Sequence, residues 1–219
     1  NMQKKLIAEF VGTLMLLATV VGSGIMGDTL AAGNDAVALW GNTAATGAIL
    51  FVLITIFGPY SGAHFNPAVT LVFRAKGEIT RKEAAAYIAV QIIGGVLGVL
   101  LAHVMFDAEI VQASTKARTG LGQWVSEAVA TFGLVATILG CVRNKPEAVA
   151  MGVGLYITAG YWFTASTSFA NPAVTIARSL TDTFAGIAGS DVLGFIAMQL
   201  VGAFLALFLF KILDAPEKT

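Results

Sequence analysis

The sequence is poor in the residues on which soluble domains and most enzymes depend. Charged residues fill only 12% of 219 positions, roughly half the share usual in a soluble domain. The single cysteine, Cys141, excludes an internal disulfide and a cysteine-based metal site. In its apolar run it is expected to be a buried, inert thiol. Two histidines, His64 and His103, complete a short list of candidate ligands or bases. No Ser/His/Asp set, metal cluster or phosphate-binding loop is recognisable, so neither an enzyme nor a cofactor is indicated. The formal charge is +0, which implies no pull toward nucleic acid. What abounds is apolar: 57% of residues are hydrophobic, mean hydropathy is +0.80, and there are 24 glycines. Glycine is tolerated in membrane helices and lets them approach closely.

A bilayer core of ~30 Å needs about 20 apolar residues per helix. Six segments qualify: Lys5–Met26, Val37–Gly58, Lys82–Phe106, Gly122–Val142, Glu147–Thr164 and Asp191–Leu213. Lys4 and Lys5 ahead of the first resemble a signal peptide, but the apolar stretch exceeds the usual ~7–15 residues. It reads as a retained membrane helix.

With six spans and the N-terminus inside, ten of the thirteen Lys and Arg fall on the cytoplasmic side: Lys4, Lys5, Arg74, Lys76, Arg81, Lys82, Arg143, Lys145, Lys211 and Lys218. Lys116 and Arg118 fall outside. The asymmetry places both termini in the cytoplasm. Short loops and small size suggest a bacterial inner membrane.

Two stretches, Pro59–Ala75 and Ala165–Ala188, fit neither a span nor a water-exposed loop. Irregular backbone at membrane depth is tolerated where protein buries it or where it lines a watery cavity. Both stretches are expected to be re-entrant.

Asn66-Pro67-Ala68-Val69-Thr70 recurs as Asn171-Pro172-Ala173-Val174-Thr175, 105 residues later. Around it, Glu9 and Thr13 in the first span are echoed by Glu127 and Thr131 in the fourth, and Gln91 and Gly94 in the third by Gln199 and Gly202 in the sixth. Residues 1–106 and 122–219 thus read as two inverted repeats of three spans, joined by an extracellular loop at 107–121, within one membrane domain. Such repeats build a site at the membrane midplane.

Asn is a good helix N-cap and Pro is favoured at the first helical position, so each pentapeptide starts a helix. Ten residues from Asn66 span ~15 Å, half the bilayer core. Two half-helices from opposite faces would meet N-terminus to N-terminus, each contributing roughly half a positive charge. Each asparagine oxygen would cap its own helix and leave the amide NH2 free for a passing solute. The midplane barrier would exclude protons and cations while passing small polar molecules.

Glu9 and Glu127 lie within spans, where an unpartnered acid is costly. The re-entrant backbones have N–H groups that need acceptors. Each glutamate is therefore expected to anchor the loop of its own half. His64 reads as a loop fastener, and His103, near a span end, as unremarkable.

With these motifs the chain resembles the major intrinsic proteins, the aquaporins and aquaglyceroporins, over nearly its whole length. Ser61-Gly62-Ala63-His64-Phe65-Asn66-Pro67-Ala68-Val69-Thr70 is close to the first signature of that family. The resemblance implies an all-α fold of six transmembrane helices and two re-entrant half-helices in a right-handed bundle. It implies a homotetramer in the lipid bilayer with one pore per subunit, and passive flow of water or small uncharged solutes. Pore-lining carbonyls would come from Gly62, Ala63, His64 and Phe65, and from Thr167, Ser168, Phe169 and Ala170.

Family members usually carry Arg directly after the second Asn-Pro-Ala; here the residue is Val174. Counting from the motifs puts the other filter positions at Thr46 in the second span, Ala159 in the fifth and Ser168 in the second re-entrant stretch, with Gly160 the alternative to Ala159 if the count slips by one. The set is small, weakly polar and uncharged, and it implies a wide constriction. Glycerol, urea and hydroxylated metalloids such as arsenous acid are the expected solutes. Arg178 lies one helical turn beyond Val174 on the same face; it either points into the outer vestibule or pairs with Asp182 or the outer loop. A water-selective channel is the nearest competing reading. A secondary transporter would need a coupling site at the midplane, which offers only the two asparagines.

Overall fold

The computed structural model describes residues 1–216. Lys218, counted above with the cytoplasmic cations, lies outside them. The described residues contain eight α-helices: α1 Met2–Ala31, α2 Asp35–Ser61, α3 Pro67–Ala75, α4 Arg81–Met105, α5 Leu121–Asn144, α6 Val149–Phe163, α7 Pro172–Arg178 and α8 Val192–Leu213. Six cross the membrane, and α3 and α7 are the half-helices. Five of the crossing helices are long and apolar enough to span unaided. The sixth, α6, has 15 residues, and a 3-10 turn at Pro146–Ala148 lengthens it at its start.

Local chemistry sets the ends. Asn34 caps α2 by accepting from the Ala36 and Val37 amides. Thr80 and Glu83 form a reciprocal capping box on α4, which satisfies two otherwise orphaned donors. The helix α2 does not break at Pro59, where the re-entrant stretch was expected to begin. It continues to Ser61 because the Gly62 amide closes onto Gly58 O at 2.9 Å, and Gly62 then turns the chain at φ 85°. Only glycine enters that backbone region without steric cost.

The surface reverses the arrangement of a soluble protein. Leu30, Leu121 and Leu193 are each about three-quarters exposed, as suits side chains that meet lipid. The interior holds Glu9, Gln91, Glu127 and Gln199, all fully buried.

The crossing helices pack as α1 with α4 and α2, α5 with α8, and α2 with α6. Close contacts are made backbone to backbone at glycine. A Cβ on Gly94 would stand 2.5 Å from Phe10 O, and one on Gly202 2.1 Å from Ala128 O. Small residues at such crossings supply the van der Waals contact that holds membrane helices together. Cys141 is half-buried where α5 meets Gly152 of α6, rather than enclosed as its apolar run suggested, because that face of α5 turns partly outward.

Candidate functional site

Both pentapeptides start helices in the way their sequence dictates. Asn66 Oδ1 accepts from the Ala68 amide at 2.9 Å, and Asn171 Oδ1 from the Ala173 and Val174 amides at 3.0 and 3.2 Å. Pro67 and Pro172 occupy the first helical positions, and Ala68 and Ala173 are fully buried where α3 and α7 meet. The helix α7 has seven residues, shorter than the ten expected, because the chain turns at Ser179.

The asparagine amides are not wholly free. Asn66 Nδ2 donates to Ala170 O at 2.8 Å, and Asn171 Nδ2 donates to Phe65 O at 2.7 Å. Each NH2 carries two donors, so one ties the opposite loop in place and one is left for the lumen.

Each glutamate collects the donors of one loop. Glu9 accepts from Ser61 Oγ at 2.6 Å, the His64 and Phe65 amides at 2.9 and 2.7 Å, and Gln91 Nε2 at 2.8 Å. Glu127 accepts from Ser166 Oγ at 2.6 Å, the Phe169 and Ala170 amides at 3.0 and 2.9 Å, and Gln199 Nε2 at 2.7 Å. Gln91 and Gln199 also donate to Thr70 and Thr175, the last residues of the two motifs. The anchored loops are strained. Ala63, Phe65, Thr167, Ser168 and Ala170 all have φ between 49° and 64°, which costs non-glycine residues about 1–3 kcal/mol each. The carboxylate hydrogen bonds offset that cost and hold amides inward toward the acid.

A cavity of about 110 Å³ runs past both asparagines. Much of its lining is aliphatic, with Leu16, Val20, Leu50, Val153 and Ile157 among its residues. The lining also includes Gly62, Ala63, His64 and Phe65 of the first loop, Ser168 and Phe169 of the second, and Arg178. A solute in the lane thus meets both aliphatic side chains and hydrogen-bonding groups.

Of the four filter positions expected from sequence, Thr46, Ser168 and Val174 line this cavity and are nearly inaccessible, at 3%, 2% and 5% exposure. Ala159 does not line it. It is exposed on the outward face of α6, because its helical phase points it away from the lumen. Gly160 is buried against Ser168, where a Cβ would stand 2.7 Å from Ser168 Oγ, and Tyr161 supplies the wall. Tyr161 Oη donates to Thr46 Oγ1 at 3.3 Å. Thr167 and Ala170 are likewise absent from the cavity wall: Thr167 is half-buried beside it, and the Ala170 carbonyl is engaged by Asn66.

Arg178 is 1% exposed and does not pair with Asp182. Its guanidinium carbon sits 3.5 Å from the Phe169 ring centre and its Nε donates to Ala185 O at 2.5 Å. Asp182 instead accepts from the Thr115 amide and hydroxyl at 2.8 and 3.0 Å, which hold its carboxyl below the usual range. A residue that sequence reasoning left aside, Arg118, reaches the same ring from the 107–120 connection. Its guanidinium carbon is 4.9 Å from the Phe169 centre, and it donates to Gly186 O at 2.7 Å and Ser166 O at 3.3 Å. Burial, then the neighbouring Arg178, pushes Arg118 down to about 9.

The histidines are both fasteners. His64 Nδ1 is bonded to Thr70 Oγ1 at 3.0 Å. His103, expected to be unremarkable, is fully buried and joins two connections through Ile110 O at 2.8 Å and Thr181 Oγ1 at 2.7 Å.

Comparison with known proteins agrees with this geometry. A solved structure titled as the aquaglyceroporin from Plasmodium falciparum superposes with a TM-score of 0.80 over 99% of this chain and 98% of that one, at 20% identity. Aquaglyceroporin AqpS of Rhizobium meliloti (strain 1021) is 57% identical over 218 residues, covering 100% of this chain and 93% of the relative. Aquaporin NIP3-1 of Arabidopsis thaliana is 26% identical over 230 residues, covering 99% of this chain and 69% of that relative. The family model described as Major intrinsic protein matches residues 1–147. This chain belongs to the major intrinsic protein family, and it is a passive membrane channel for water or small solutes rather than an enzyme.

Proposed function

We propose that the channel passes small uncharged solutes larger than water, such as glycerol, urea or hydroxylated metalloids like arsenous acid, through a filter without an arginine in its ring. The observation that carries this reading is Val174, which lines the cavity with Thr46 and Ser168. A branched aliphatic side chain there leaves room and offers no fixed charge. Arg178, one helical turn beyond Val174, lines the same cavity but is held against Phe169 and Ala185 O. The aliphatic lining residues suit the CH groups of a polyol, and the loop and hydroxyl groups beside them suit its hydroxyls. The similarity to a relative named an aquaglyceroporin supports the same solute class.

In this reading residues 1–106 and 122–219 are inverted repeats, both termini are cytoplasmic, and four copies assemble in a bacterial inner membrane. Glu9 and Glu127 hold the loops and touch no solute. The two midplane asparagines and half-helices exclude ions.

One observation favours a water-selective pore instead. Tyr161 stands beside Thr46 in the wall, and its ring takes up space that Ala159 would have left open. Stopped-flow shrinkage of proteoliposomes in a panel of solutes separates the two. The proposal expects solute flux that rises linearly with the gradient and has a low activation energy. Saturating, gradient-coupled uptake would point to a transporter.

A further inference from the structure

The wall at the Arg178 end of the pore contains a cation without an acidic partner. Arg178 is fully buried, its Nη1 has no hydrogen-bond partner, and no carboxylate lies within ion-pair distance of it or of Arg118 among the described residues. Ser168 Oγ, on the same cavity wall, is also buried without a partner. The hydroxyls of Tyr161 and Thr46 stand next to them. Lys116, also without a carboxylate partner among the described residues, donates to Phe184 O at 2.7 Å. A buried donor left unpaired is unfavourable, and a buried unpaired charge more so. A ligand that brings acceptor oxygens and one negative charge would satisfy both.

We propose that this wall is a binding subsite for a small monoanionic oxyanion of the carboxylate type. The anion's oxygens accept from the Arg178 guanidinium and from Ser168 Oγ. Because the subsite lies in the wall of the conducting lane, an anion held there obstructs neutral solutes. The proposal rests on the reading of the pore as a neutral-solute channel, since it is read out as inhibition of that flux.

The guanidinium is held for this task. The Phe169 face holds it, Nε is spent on Ala185 O and the Tyr161 hydroxyl is a further partner, so Nη1 is the nitrogen left to bind. Guanidinium–carboxylate hydrogen bonds are among the stronger ones in proteins.

The test uses the full chain in proteoliposomes, with glycerol flux measured in sodium formate against sodium chloride of equal osmolality. Formamide, nearly the same size and uncharged, serves as the neutral control and needs no mutant. Formate should inhibit with a saturating dependence and formamide should not. Loss of one charge-assisted contact shifts half-inhibition by roughly tenfold to a hundredfold. Arg178→Gln should show that shift, read as the ratio of inhibited to uninhibited flux within the variant, and Arg178→Lys should retain part of the inhibition. Equal flux in formate and chloride overturns the subsite, as does equal inhibition by formate and formamide, or equal inhibition of wild type and Arg178→Gln. Absence of any glycerol flux in chloride overturns the reading of the pore as a passage for solutes larger than water instead, and the two failures are thereby distinct.

Discussion

The Arg178 guanidinium lies on the Phe169 ring at the place where, in the other half of the molecule, Phe73 stacks on His64. The first contact is 3.5 Å from carbon to ring centre and the second 4.9 Å between ring centres. Both partners are offset by the same 105 residues that separate the two pentapeptides. The far side is matched too: Tyr87 meets His64 edge-on at 5.2 Å, and Phe195 meets Phe169 edge-on at 5.0 Å. One half thus closes its loop with a neutral aromatic stack. The other substitutes a cation at the same place, and that cation enters the wall of the pore.

Val174→Arg should narrow the lane and restore a charge at the ring. Glycerol flux is expected to fall by roughly tenfold or more, the scale of a blocked pocket contact, while water flux persists. Stopped-flow light scattering on the variant checks this. Unchanged glycerol flux would remove Val174 from the constriction.

Glu127→Ala strands four donors: Ser166 Oγ, the Phe169 and Ala170 amides, and Gln199 Nε2. Each buried donor left unpaired costs about 1–3 kcal/mol, so the variant should not accumulate as a folded species. Glu127→Gln keeps one acceptor oxygen and should lose less. Thermal unfolding in detergent, followed by the monodisperse chromatographic peak, orders wild type above Gln above Ala. The same order should hold at Glu9.

Much of this was legible in the sequence, and the reasons are physical. Apolar length reveals crossing helices, and a repeated Asn-Pro start reveals half-helices wherever it occurs. The Glu9 and Glu127 anchors follow from the cost of a lone acid in a membrane. The error at Ala159 has an equally plain cause. Successive helical residues are rotated by about 100°, so a slip of two residues carries a side chain to the opposite face, from Tyr161 in the wall to Ala159 outside. Nothing local to α6 marks its phase. Arg118 was illegible for a different reason: it acts from a connection remote in sequence, and only the folded chain brings it to Phe169.

Gly202→Val should disrupt the α5–α8 crossing. A Cβ there would already overlap Ala128 O, and the helices would have to separate. Overpacking costs typically about 1–3 kcal/mol or more. Lowered thermal stability in detergent is the expected result, and Gly33→Ala, where no atom lies within 4 Å but φ is +88°, should show only the smaller backbone cost.

Lys116, in the 107–120 connection, is pushed down to about 8 by burial first and by Arg118 and Arg178 next. In an opened connection its value returns to about 10.4. Between those values the opened form binds more protons, so the closed form gains stability as pH rises from about 8 toward 10. Below pH 8 both forms are protonated and no such gain occurs. Hydrogen exchange of residues 112–118, corrected for the intrinsic rate at each pH, should show rising protection between pH 8 and 9.5. Falling protection over that interval would contradict the assignment.

The central claim is that a ring of Thr46, Ser168 and Val174 passes solutes larger than water. The most direct measurement is the glycerol permeability of proteoliposomes containing the wild-type chain, compared with protein-free liposomes and with water permeability in the same preparation. The account predicts glycerol flux well above the protein-free background. Rapid water flux with glycerol at background would contradict it and make Tyr161 the residue that closes the filter.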